Sequence, residues 1–138
     1  IHLKVSKELA EILMISGKID FLDMSLWDVF KEPEEEQFKG KSLIEHFSEL
    51  KRGATKLGVA GKIKNTEDIL KTIKYVDLII LGRAAILHHN FPILFKKYPS
   101  FKTIDTPVDT KYLIKEGLSK AFIEYLSNKF DGMVKNNY

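Results

Sequence analysis

Three short apolar runs, separated from one another by amphipathic stretches, set the strongest limit on how this chain can fold. The runs are Ile19-Asp20-Phe21-Leu22-Asp23-Met24-Ser25, Lys56-Leu57-Gly58-Val59-Ala60 and Val76-Asp77-Leu78-Ile79-Ile80-Leu81, and their length and composition read as buried strands. The flanking stretches carry helical spacing. Val5, Leu9, Ile12 and Leu13 form the first, with Ser6 as N-cap and Gly17 as stop. Leu43, Ile44, Phe47 and Leu50 lie on one face between Ser42 and Arg52, and Gly53 ends that helix. Ile69, Leu70 and Ile73 follow the helix start Asn65-Thr66-Glu67-Asp68, whose acidic first turn suits the macrodipole. Strand and helix alternating in this way predict parallel pairing with both faces of the sheet covered. After Arg83 the chain reads as helix again, and a second short helix runs from Pro92 to Lys97. Pro99 to Pro107 reads as a linker. A final helix is expected from about Asp109 to Lys129, with Leu113, Leu118, Phe122, Tyr125, Leu126 and Phe130 at packing positions.

Composition narrows the chemistry. The 138 residues suit one ordinary domain, and 44% hydrophobic with 30% charged residues is the balance of a folded chain. A formal charge of +3 with no basic stripe gives no reason to expect a nucleic-acid partner. With no cysteine, disulfides, thiolate metal sites, cysteine nucleophiles and cysteine-held iron–sulfur clusters are excluded within this sequence. The apolar runs fall far short of the roughly 20 residues that span a bilayer, so no membrane partner is expected. No segment resembles a signal peptide, and a cytoplasmic location is the expectation. A first residue of Ile1 reads as a piece cut from something longer.

Gly61 follows the second run and Gly82 the third. In parallel α/β folds ligands sit at the C-terminal ends of strands, where glycine lets a phosphate approach the backbone and a following helix offers unpaired N–H groups. Arg83, next to Gly82, would add a charge-assisted and bidentate partner. The last two strands of a (β/α)8 barrel hold a cofactor phosphate in this way. The same residues are equally compatible with two tight turns and a solvated arginine.

These residues also carry a resemblance. Val59-Ala60-Gly61-Lys62-Ile63, then Thr66-Glu67-Asp68, then Val76-Asp77-Leu78-Ile79-Ile80-Leu81-Gly82-Arg83-Ala84-Ala85-Ile86, then Phe91-Pro92, resemble the C-terminal part of the Old Yellow Enzyme family of NAD(P)H-dependent flavin oxidoreductases. Asp77 and Gly82-Arg83 fit the family's Asp-x-x-x-x-Gly-Arg eighth strand, and Ile19 to Ser25 is similar to its sixth, which often ends in Asp-x-Ser. The resemblance spans about Leu3 to Lys97. It implies the C-terminal portion of a TIM (β/α)8 barrel, about three strand–helix units within residues 1–98, followed by a linker and helical tail in residues 99–138. It implies FMN as cofactor and NAD(P)H as reductant, with a small-molecule electron acceptor such as an activated alkene. Gly61, Gly82 and Arg83 would then contact the FMN phosphate, and Ser25 the ribityl–phosphate region. Leu26-Trp27 departs from the family, which often has glycine after the sixth-strand Ser, and His88-His89-Asn90 stands where a proline is usual. A tail without cysteine argues against the members that carry an iron–sulfur cluster. A tRNA-dihydrouridine synthase, also an FMN barrel, and a non-catalytic anion-binding or assembly module are the alternatives. Because three strands leave open sheet edges, self-association or pairing with the missing barrel half is expected.

The remaining candidates have blander readings. His88-His89 diverge by about 100° on a helix and lack a third ligand, so no metal site is expected and a surface or cap role is preferred. His46 reads as part of a polar or intermediate helix face. Asp23 could serve as an acid or base, but a hydrogen-bonded carboxylate inside the barrel is preferred. Trp27, two residues past a strand end, could stack on a flavin or substrate, or cap the rim. Glu34-Glu35-Glu36 reads as a solvated loop.

Overall fold

The computed structural model describes residues 2–135. The chain forms two compact units, one of residues 1–63 and 67–81 and the other of residues 64–66 and 82–138.

The first unit holds helix α1 (Leu3–Ile15), strand β1 (Phe21–Ser25), a 3-10 turn (Glu36–Phe38), helix α2 (Leu43–Ser48), strand β2 (Lys56–Ala60), most of helix α3 (Thr66–Thr72) and strand β3 (Leu78–Ile79). All strand pairs are parallel, and their spatial order β1-β2-β3 is the order of the chain. The register sets Phe21, Asp23 and Ser25 beside Lys56, Gly58 and Ala60, and Gly58 beside Leu78. Strands laid down in sequence, joined by right-handed crossovers, put every connecting helix on the same side of the sheet. Burial follows that geometry. Met24, Leu57 and Val59 on the helix side are buried, whereas Phe21, Asp23, Ser25, Lys56 and Leu78 on the other side are exposed. The expectation of two covered faces is therefore corrected to one covered face and one bare one. Asp23 is correspondingly exposed rather than enclosed.

Helix boundaries differ from the spacing in instructive ways. α1 starts at Leu3 with His2 as its N-cap, so Ser6 lies inside the helix. Its buried stripe is Leu3, Ala10 and Met14, while Val5, Leu9 and Ile12, at 53, 55 and 62% exposure, face outward. Glu35 accepts the Leu3 N–H at 2.8 Å, which takes this residue out of the solvated loop expected for it. α2 has Ser42 as N-cap, and the Ser42 N–H donates to the Glu45 carboxylate at 2.8 Å. His46 is buried in α2, its Nε2–H donated to the Phe38 carbonyl at 2.8 Å, a correction to its expected half-exposed position. The third strand shrinks to two residues, bracketed by bonds from Asp77 N–H to Leu57 O and from Ile80 N–H to Val59 O.

The second unit contains helices α4 (Arg83–Leu87), α5 (Phe91–Lys97), α6 (Thr110–Lys115) and α7 (Lys120–Lys129). Leu87, Val108, Leu113, Ile123, Leu126, Met133 and Val134 form its core. The single final helix expected from Asp109 to Lys129 is two. Gly117, at φ +91°, turns the chain out of α6, and Ser119 caps α7 by accepting the Phe122 N–H at 3.2 Å. Among the described residues no helix is long and apolar enough to cross a membrane.

Candidate functional site

In the first unit the C-terminal ends of β1 and β2 converge. Ser25 pairs with Ala60, and the next residue extends the ladder, with Leu26 N–H donating to Ala60 O at 2.8 Å. Gly61 then turns at φ +153°, and a Cβ placed on it would lie 2.1 Å from the Leu26 carbonyl oxygen. Only glycine fits there, because the space a side chain would need is filled by the chain's own backbone. Ser25 and Gly61 are thus brought side by side. Lys62 follows at φ +50°, a region that non-glycine residues avoid. Its Nζ lies 3.3 Å from Asp28 Oδ2 and 5.9 Å from the centre of the Trp27 ring. Nothing in the spacing signalled Lys62, since Asp28 and Trp27 stand more than 30 positions before it in the chain.

Gly82 and Arg83 lie in the second unit, where Gly82 is the N-cap of α4. Unlike Gly61, Gly82 has open space where a Cβ would stand. α4 has only five residues, so its dipole is a small part of any attraction for an anion. Arg83 lines a cavity of about 180 Å³ with Lys64, Ala84, Leu87, Thr103, Ile104, Asp105 and Thr106. The cavity walls are held by Thr103 N–H donating to Lys64 O at 2.9 Å. Lys102 pairs with Asp105 at 3.3 Å. The cavity lining sets two cations, Arg83 and Lys64, against one carboxylate, Asp105. Lys64 and Thr103 were missed by motif reasoning, because they join Arg83 only through a contact between the start of α3 and the linker.

The histidine pair is also in the second unit. His88 Nε2 accepts the Ile104 N–H at 3.0 Å, and its Nδ1 lies 3.3 Å from the Tyr112 hydroxyl, which donates to Leu87 O at 2.7 Å. His89 Nδ1 and its backbone N–H reach Glu116 Oε2 at 2.8 and 3.1 Å. The two imidazoles fasten the linker and α6 to the end of α4. Burial lowers the His88 pKa from its ordinary value, the neighbouring His89 adds to the fall, and Glu116 opposes it. Burial of Glu116 works to raise its pKa, but hydrogen bonds from the His89 side chain and backbone, with the histidine charges, leave it lowered. Among the described residues no cluster of three or more ligating side chains could hold a metal.

Asp77 has a structural task. Its Oδ2 accepts the Leu57 N–H at 2.9 Å and the Arg52 guanidinium at 2.8 Å, and Lys56 stands 3.5 Å from Oδ1. The Leu57 N–H first, then the charges of Arg52 and Lys56, hold its carboxyl below the ordinary range.

No family model matches the chain, and no curated protein matches it.

Proposed function

We propose that this chain is the C-terminal part of an FMN-dependent NAD(P)H:flavin oxidoreductase resembling Old Yellow Enzyme. The observation that carries the reading is the sheet: parallel strands in chain order, helices on one side, and a bare opposite face. A barrel is the arrangement in which the inner face of a parallel sheet is covered by its own remaining strands. Three strands supply an arc of the eight, and about 250 residues form the whole.

The second unit fits the phosphate of such a cofactor. Gly82 leaves room beside its backbone, and Arg83 borders a cavity of about 180 Å³ with Lys64, Thr103, Thr106 and Asp105, whose carboxylate is paired with Lys102. Arg83, Lys64 and the threonines would bind and orient the phosphate by charge-assisted hydrogen bonds. Ser25 and Gly61, which the resemblance also names, lie in the first unit, where Gly61 is already required by the Leu26 carbonyl. FMN, when bound, would supply the hydride-accepting ring, and the protein its position and electrostatics. A small-molecule acceptor such as an activated alkene would complete the reaction.

In the parent enzyme Arg83→Ala is expected to lower flavin retention by about tenfold, the scale of one lost charge-assisted contact. Unchanged retention would overturn the assignment of Arg83. Reduction of an enone by the parent supports this reading, whereas tRNA binding without enone reduction would replace it with a dihydrouridine synthase. The purified chain alone is expected neither to hold FMN at micromolar affinity nor to oxidise NADPH.

A further inference from the structure

We propose that Trp27, Lys62 and Asp28 form a landing platform for the nicotinamide ring at the C-terminal ends of β1 and β2. The choice of ring rests on the oxidoreductase reading; the platform rests on geometry within the first unit.

The indole of Trp27 is 75% exposed, yet the backbone on both sides of it is fixed. Before it, the Leu26 N–H is bonded to Ala60 O, and the Leu26 carbonyl is wedged against Gly61 with no room for a Cβ. After it, Asp28 Oδ1 accepts the Phe30 N–H at 3.1 Å, and Val29 is fully buried. A large aromatic on a backbone fixed at both sides and left this exposed is organised for contact rather than for the core. Lys62 adopts its unfavourable left-handed φ where its amine meets both the Asp28 carboxylate and the indole, and strain of this kind concentrates at binding sites.

The result is a stacking surface with a donor (Lys62 Nζ) and an acceptor (Asp28 Oδ2) 3.3 Å apart beside it. A planar, electron-poor ring bearing an adjacent donor and acceptor matches it, and the carboxamide of nicotinamide carries that pair. High exposure suits a ligand that comes and goes more than a resident cofactor, and the electron-poor form of this ring is the oxidised one left after hydride transfer.

Trp27 is the chain's single tryptophan, so its fluorescence reports on this place alone. The purified chain, free of flavin, would be titrated with nicotinamide mononucleotide and then with nicotinic acid mononucleotide. The first is expected to quench saturably. The second replaces the amide donor with a carboxylate that faces Asp28, and should need about tenfold more ligand for half-quenching. Asp28→Asn, which keeps an oxygen for the Phe30 N–H and removes the charge that opposes the carboxylate, should erase the difference with an unchanged far-UV circular dichroism spectrum. No saturable quenching, or equal quenching by the two ligands, would overturn the platform. Flavin retention by the parent is measured separately. Its loss with quenching intact sinks the flavin reading, and the converse sinks the platform alone.

Discussion

At the scale of single residues, Gly61 and His88 carry the sharpest consequences. Gly61→Ala forces a Cβ into the Leu26 carbonyl at 2.1 Å and demands a backbone angle that alanine resists. The expected cost is about 3 kcal/mol or more, read as a fall in the urea midpoint. His88 sets a pH response. Its neutral ring accepts the Ile104 N–H, and its pKa is depressed in the folded state, so as pH falls below about 6.5 the unfolded chain takes up the proton first. Stability from this source is complete above that value and is lost as pH drops through the lower folded value. Melting temperatures at about pH 7.5 and about pH 5.5 should show the fall, and His88→Asn should flatten it. Asp77 and Glu116, whose carboxyls are held low, lose their contributions only at more acid pH, which keeps the windows apart.

Between elements, the sheet and α3 each depend on one polar detail. Asp77 stands just before β3 yet bonds to the backbone of β2 and to Arg52 at the β2 entrance, so it fixes the spacing of the two strands. Asp77→Ala removes the acceptor for a strand N–H and unpairs Arg52. A loss of about 1–3 kcal/mol is expected, with part of the acid sensitivity going with it. Thr72, in the last turn of α3, has the opposite sign. Its hydroxyl is fully buried without a hydrogen-bond partner among the described residues. Thr72→Val keeps the shape and removes that burden, and should raise stability by about 1 kcal/mol, seen as a higher urea midpoint at unchanged slope.

For the whole molecule, the first unit exposes what a folded sheet normally hides. Phe21 and Leu78 on the bare face are 54% and 45% exposed, and the outward stripe of α1 adds Val5, Leu9 and Ile12. Apolar surface of this kind is what associating chains cover. The isolated chain is therefore expected to associate in a concentration-dependent way by sedimentation velocity, and Phe21→Lys with Leu78→Lys should return it to a monomer. Monomeric behaviour of the unaltered chain at all concentrations would count against a missing layer over this face.

Alternation of short apolar runs with amphipathic stretches was enough to place β2 to the residue, and to mark the Thr66 helix start and Gly17 beyond the end of α1. Those features are local: strand length, caps and turn residues act within a few positions of themselves. Glycine at a strand end was equally legible, but its reason was not, because Gly61 answers to a carbonyl 35 positions earlier in the chain and Gly82 to open space. Periodicity found α1 yet not its buried stripe, since an apolar row is the same on a helix whether or not a layer covers it. The bare face of the sheet and the meeting of Lys62 with Asp28 and Trp27 were decided by tertiary structure alone. Each depends on groups distant in sequence competing for the same space, and burial and charge pairing are settled only when the chain has closed upon itself.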